Sequence, residues 1–577
     1  MVKNYLSEIN INNPFRKNTV QVDEDSINDS TSLEVETENN DNVYTNIDKG
    51  KKQVGLISCV GLVVNRMLGA GIFAVPSTIY TLCGSIGLSL IIWAVGAIIA
   101  LSGLYVYMEF GTAIPKNGGE KNYLEFIFKK PKFFATSMYA SYVFFMGWAA
   151  GNSVNTAVMF LTAGEAKITE WNQRGLGVAI IAFAFIVNSV SVKYGLYLQN
   201  LLGIFKLGIV VFISITGWVA LGGGLKGGYQ SHNFHNAFEG TTKATAYGIV
   251  TALYNVIWSF IGYSNINYAL GEVKDPARTL KIAGPSSLIV LAIIYMFVNI
   301  AFFAVVPKDK LISSKLILVA DFFDIVFGGH AKRAASAFVG LSALGNVLSV
   351  IFAQGRVIQQ LGREGVLPFS NFFASSKPFN SPMIGLFQHF IICIITILAP
   401  PPGDAYNFIM NLVSYPLNII NFCISLGLLW IYWEKRQGRM EWDPPLKAGV
   451  PVIVFFTLAN LYLIVAPYIP PSDGESVYET LPYWIHCVVT WGVFGIGAAY
   501  YLLWAHILPW RGGYTLVNKE IVGEDGFWRN KIIKVYPGDE DDITNVTSAD
   551  TVESLSDSVI EEKVSNNPKV GFPLVTI

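Results

Sequence analysis

Gly69-Ala70-Gly71 sits in the middle of residues 54–79, VGLISCVGLVVNRMLGAGIFAVPSTI, a stretch long enough to cross a bilayer. A span needs roughly 20 residues at 1.5 Å rise, and each glycine costs a helix interior about 1 kcal/mol relative to alanine. In hydrocarbon an opened backbone survives only where it is buried in protein or lines a cavity. The helix that resumes after Gly71 aims its first N–H groups and a positive dipole end at whatever occupies the break, which suits a carboxylate. The helix ending near Met67 and Leu68 exposes carbonyls, which suit an ammonium.

A second apolar stretch, TALYNVIWSFIGYSNINYALGEVKDP, carries Gly262 at mid-span among Ser259, Ser264, Asn265 and Asn267, which can satisfy an opened backbone. Carbonyls near Trp258 and Ser259 would join those of the first break. A site that takes both a carboxylate and an ammonium fits an α-amino acid. Its side-chain pocket is expected from Trp258, Phe260 and Tyr263, a lining without a committed charge, so the substrate should be neutral and fairly apolar. Close helix packing through glycine accounts for one interrupted span. Two interrupted spans at corresponding positions point instead to a transporter built from inverted repeats.

Charged residues inside apolar segments are functional candidates by default. Lys206, in LLGIFKLGIVVF, is too deep to reach an interface easily. Its ammonium either bridges spans 1 and 8 as a fixed cation or carries a proton. Arg66, beside the first break, cannot deprotonate and needs a partner, Glu109 or the carbonyls of the opened span, with Asn65 helping to orient it. Glu109 and Glu272, at inner span ends, are candidates for gating or proton coupling, and equally for plain helix-end hydrogen bonding. His389 and His486 read as interface histidines.

These residues need a membrane scaffold, and composition supplies one. The 577 residues are 52% hydrophobic and only 14% charged, against about 25% charged in soluble domains. The fold class is an all-α polytopic membrane protein. A net charge of −1 gives no sign of a nucleic-acid partner. The five cysteines lie in apolar segments at spacings that fit no metal or redox motif; no metal site is expected. Hydropathy gives twelve spans, near 54–79, 86–111, 133–161, 176–192, 197–221, 245–270, 282–306, 334–361, 383–400, 405–432, 448–467 and 481–507. They divide 54–508 into a first group (54–221), a second (245–432) and two closing spans (448–508).

Residues 1–53 are acidic, polar and read as a disordered regulatory tail with no signal peptide. Residues 509–577 form a second tail, in which 514–537, with GEDGFWRNKIIKV, is expected to dock on the inner face. Basic residues concentrate in connections that become internal if both termini are cytosolic: Lys116, Lys121, Lys129, Lys130 and Lys132, then Lys274, Arg278 and Lys281, then Lys435, Arg436, Arg439 and Lys447. The sequons at Asn28 and Asn545 would then escape glycosylation. The outer stretch Leu316–Phe327 is apolar enough for a short helix, as a lid or as packing.

Several motifs together resemble one family. Gly69-Ala70-Gly71-Ile72-Phe73 looks like the G-S/T-G-I-F signature of the L-type branch of the amino acid–polyamine–organocation superfamily. EFGTAIPKNGG (Glu109–Gly119) resembles that branch's motif after span 2, EVKDP (Glu272–Pro276) its end of span 6, and REGVLP (Arg363–Pro368) its motif after span 8. Lys206 falls at its span-5 lysine. The similarity extends to methionine-transporting fungal members and runs through essentially the whole chain. It implies a LeuT-type 5+5 inverted repeat with helices 1 and 6 broken, and proton-coupled uptake of L-methionine at the plasma membrane, with cysteine and related neutral amino acids as further candidates. It also implies that Gly69, Ala70 and Gly71 hold the carboxylate, that carbonyls of Met67, Trp258, Ser259 and Ile261 hold the amine, and that Trp258 gates the site. Two departures stand out: Ala70 replaces a hydroxyl residue, and Arg66 replaces a small one. The animal members pair with a disulfide-linked heavy chain; no cysteine here lies in a long outer loop, so a chain working alone in lipid is expected.

The leading function is a secondary transporter, with the proton as coupling ion and no other cofactor. An exchanger, or a methionine-sensing receptor with little flux, is the alternative. No P-loop motif suggests an ATP-driven pump, and no metal cluster or nucleophile–base motif suggests an enzyme. Lys51 and Lys52 near the membrane are candidate sites for a ubiquitin-ligase adaptor acting on the tails.

Overall fold

The computed structural model describes residues 55–537 apart from 70, 226–230, 378, 380, 402, 472–475, 477 and 523–527. Ala70, Lys51, Lys52, Asn28, Asn545 and both tail ends lie outside the described residues, as does the side chain of Glu272. The chain is mostly helix. The first expected span is α1 (Leu56–Met67), α2 (Gly71–Ala74) and α3 (Pro76–Cys83), then come α4 (Ile86–Ala113) and the short α5 (Glu120–Ile127). Next are α6 (Phe134–Phe145), α7 (Ala150–Ala163), α8 (Glu170–Val190), α9 (Val192–Leu221), α10 (Ala246–Phe260) and α11 (Pro276–Val305). After α12 (Lys308–Ser313) and α13 (Leu318–Phe327) follow the long α14 (Gly329–Arg363), α15 (Ser370–Ala374), α16 (Met383–Leu398) and α17 (Ala405–Arg436). The series closes with α18 (Val450–Val465), α19 (Ile485–Tyr501) and α20 (Leu508–Gly512), then β1 (Thr515–Val522) and β2 (Trp528–Val535).

Among the described residues eight helices are long and apolar enough to cross a membrane, or nine if the pair Cys59–Ala74 and Pro76–Cys83, bent by 55°, counts as one span. Two shorter apolar helices, α10 and α16, occupy further expected spans. The expected span 133–161 is two helices, α6 and α7, separated at Met146–Ala149; a single Gly147 in an apolar run did not mark that break. The stretch expected to be a short outer helix is α13, whose Leu318, Val319, Ala320 and Phe322 are buried.

Lipid gives no hydrophobic drive between helices, so close approach must come from small residues. A Cβ at Gly217 of α9 would stand 2.2 Å from the Ala301 Cβ of α11, and one at Gly96 of α4 2.3 Å from Val256 Cγ1 of α10. These glycines let backbones approach without a gap.

The described residues depart from an all-α fold in one place. β1 and β2 form an antiparallel hairpin with Thr515 opposite Val535. Ile532 N–H donates to the Glu364 carbonyl at 2.9 Å, just past the end of α14. Glu364 in turn pairs with Lys121 of α5, whose ammonium also meets Glu125 at 3.2 Å. Those two carboxylates hold the Lys121 ammonium above the ordinary lysine range despite burial.

Glu109, near the end of α4, is fully buried and far from idle. Its carboxylate accepts from Trp442 Nε1 and from the Ala448 N–H, both at 2.8 Å, and so fastens the loop between α17 and α18. It is therefore not the partner of Arg66, contrary to one sequence expectation. Glu109→Ala would leave two buried donors without an acceptor, a cost of about 1–3 kcal/mol each. The variant is expected to unfold at lower temperature in detergent; an unchanged melting curve would mean that the loop does not depend on this carboxylate.

Candidate functional site

α1 ends where Leu68 leaves helical geometry (ψ 76°), and Gly69 N–H turns back onto Met67 O at 2.7 Å. α10 ends at Phe260, and Gly262 follows with φ +121°, a conformation that L side chains rarely adopt. A 3-10 segment, Asn265–Glu272, then continues the chain. The two breaks touch each other through their glycines. A Cβ at position 71 would stand 2.5 Å from Ser259 Oγ and 3.0 Å from Ser259 Cα; one at 262 would stand 2.4 Å from Arg66 Cγ. The space beside Gly71 is thus taken by Ser259 and is not simply kept open for an anion.

A small cavity lies at this junction. Of the expected residues, Met67, Gly69, Gly71, Trp258, Ser259, Ile261 and Arg66 line it. Phe260 and Tyr263 are placed elsewhere. Phe260 is buried against Trp93 and Tyr295, with ring centroids 6.2 and 5.3 Å away. Tyr263 points to α4, edge-on to Tyr107 at 5.9 Å. Three lining residues escaped the sequence reading: Trp148, Asn152 and Asn346. Asn152 and Asn346 are polar residues in apolar spans, a signal that was present; Trp148 belongs to the unforeseen break between α6 and α7. Trp148 Nε1 is buried with no acceptor among the described residues.

Arg66 makes the lining cationic, against the expectation of a pocket with no committed charge. Its stem lies on Gly262, and Tyr268 and Tyr142 are near enough to interact electrostatically with its guanidinium. The opened backbone of span 1 is largely satisfied by protein donors, as a low-dielectric setting requires. Lys206 Nζ donates to Asn65 O at 2.6 Å, and Asn346 Nδ2 to Arg66 O at 3.2 Å. Asn152 Nδ2 holds Asn346 by its Oδ1 at 2.9 Å. Tyr295 of α11 donates its hydroxyl to both Met67 O (2.7 Å) and Ser259 O (3.3 Å), tying the two breaks together. Met67 O, with Gly69 N–H and Tyr295 OH on it, has both lone pairs engaged. Lys206 reaches span 1, but among the described residues no hydrogen bond joins it to α14. There α9 meets α14 by packing, Leu202 lying where a Cβ on Gly345 would come within 2.8 Å. Glu109 stands away from this cavity, on the loop described above.

A family model described as amino acid permease matches residues 54–494. The chain belongs to the amino acid permease family. The permease is 69% identical to the high-affinity methionine permease of Saccharomyces cerevisiae, over 98% of both chains. It is 30% identical to that organism's low-affinity methionine permease over 75% of this chain and 79% of the relative. The human b(0,+)-type amino acid transporter 1 is also 30% identical, over 75% of this chain and 85% of its own.

The contact between Gly71 and Ser259 yields a compensation test. Gly71→Ala should cut amino acid uptake severalfold at equal surface expression, because the added methyl pushes the two breaks apart. Adding Ser259→Gly should restore part of it, the backbone contact at Cα remaining. An additive loss in the double variant would show that the two positions do not work through each other.

Proposed function

We propose that this permease is a secondary active transporter that takes up L-methionine by alternating access, driven by the proton gradient across the plasma membrane. The observation that carries the reading is the 69% identity, over 98% of both lengths, with a protein named a high-affinity methionine permease. The cavity where two broken helices meet supports it, since such breaks are where transporters of inverted-repeat design bind substrate. On this reading the chain crosses the membrane twelve times with both termini in the cytosol, in two inverted groups of five spans followed by two more. Cysteine and related neutral amino acids are weaker candidates for the same site.

The substrate carboxylate meets Gly69, Ala70 and Gly71, at the end where α2 resumes with its positive dipole. The ammonium goes to carbonyls of Trp258, Ser259 and Ile261, because Met67 O is already doubly bonded within the protein. The thioether lies against Trp148 and Trp258; sulfur beside an aromatic ring gains roughly 0.3–1.5 kcal/mol, and the unoccupied Trp148 Nε1–H supplies a donor. Arg66 contributes a fixed positive charge below the site, and Lys206 acts as a tethered cation that stabilises the opened span. On this reading the permease works as a single chain, with four of its five cysteines buried.

Labelled L-methionine uptake into proteoliposomes tests the reading. Accumulation above the outside concentration is expected under an inward proton gradient and should collapse when the gradient is dissipated. Binding without gradient-driven accumulation would replace the symporter by an exchanger or a receptor.

A further inference from the structure

Glu120, the first residue of α5, is a second buried carboxylate that neither the cavity nor the loop anchor uses; it is 2% exposed. Its Oε2 has no hydrogen-bond partner among the described residues, and no lysine or arginine pairs with it there. The neighbouring Lys121 is committed to Glu125 and Glu364. The backbone N–H of Glu120 itself meets the carboxylate, and the other groups around it are hydroxyls. Tyr107 of α4, whose hydroxyl donates to Asn421 Oδ1 at 2.7 Å, and Tyr268 and Ser264 beyond the second break face its carboxylate. Tyr139 and Tyr142 of α6, Tyr263 and Tyr123 stand around them.

The contrast with Glu109 decides what such a setting is for. Glu109 accepts from two N–H groups, which can only donate, with the Tyr432 hydroxyl beside them. A hydroxyl can donate to a carboxylate or accept from a carboxylic acid by rotating. The Tyr268 and Ser264 hydroxyls can therefore serve either state of Glu120. An uncompensated buried anion is costly, and burial pushes the Glu120 carboxyl above the ordinary carboxylate range.

Two of the facing hydroxyls connect this carboxyl to the cavity. Ser264 and Tyr268 follow Gly262, on which the Arg66 stem rests, and Tyr268 faces Glu120 and interacts electrostatically with Arg66. A change of proton on Glu120 reverses the direction of these hydroxyl bonds in the segment that must move when the second break opens inward.

We propose that Glu120 is the group that takes up and releases the coupling proton, with Tyr268 relaying its state to Arg66 at the substrate cavity. This rests on the reading of the permease as proton-coupled. The proton arrives on the carboxylate, forming an O–H bond, and leaves to water on the opposite side; no other group is consumed.

The test reconstitutes the full chain in liposomes loaded with a pH-sensitive dye and follows methionine entry and lumen acidification together. The wild type should acidify the lumen as methionine enters. Glu120→Gln, a mimic of the protonated state, should lose acidification and the pH dependence of uptake while still showing methionine counterflow. Lumen acidification by Glu120→Gln equal to that of the wild type overturns the assignment. Tyr268→Phe provides a second reading that does not depend on the first variant's folding. It should shift the pH midpoint of uptake, and an unmoved midpoint overturns the relay and the assignment with it. Methionine entry into wild-type liposomes without acidification would instead overturn proton coupling itself, whatever the behaviour of residue 120.

Discussion

Every peptide group at membrane depth needs a hydrogen-bond partner, and the organisation of this protein around its centre follows from having broken that rule twice. Opening α1 after Met67 and α10 after Phe260 frees backbone groups that lipid cannot satisfy. The donors that close the account come from surrounding helices: Lys206 from α9, Tyr295 from α11, Asn346 from α14 with Asn152 of α7 behind it. Each is a polar side chain in an apolar helix, and each ends on a carbonyl of residues 65–67 or 259. The cavity is what remains between these supports, so its shape is set by the donors as much as by the breaks.

How much of this was legible follows from what a single sequence encodes. Gly69, Gly71 and Gly262 announced the breaks because they recur at corresponding mid-span positions of two apolar stretches. Which residues beside a break line the cavity was harder to read. Successive positions of a helix turn by about 100°, and a turn ending in Gly262 at φ +121° redirects the chain again. Phe260 and Tyr263 flank the break and still face Trp93 and Tyr107. Trp148, Asn152 and Asn346 enter from spans hundreds of residues apart in part, a long-range arrangement that periodicity does not report. Arg66 was expected to pair with Glu109 or with the carbonyls of the opened span; Glu109 instead holds Trp442, in a loop with no pattern of its own.

The buried acids show that burial alone does not assign a role. Glu109 and Glu120 lie eleven positions apart and are both hidden from water, but two N–H donors tie the first to a loop while the second stands mostly among hydroxyls. The first arrangement suits a fastener and the second a group that changes state. Lys121 and Glu364 add a third case, a buried charge pair at which α5, the end of α14 and, through the Glu364 carbonyl, the terminal hairpin meet.

The bond from Lys206 to the Asn65 carbonyl has a consequence for the energetics of the resting protein. A cation recruited from solution to the opened span would leave at low salt, and the break would be supported only part of the time. A donor on a side chain has an effective concentration set by its tether rather than by the medium. The support for span 1 is therefore built into the chain, and dilution of salts around a cell leaves it in place.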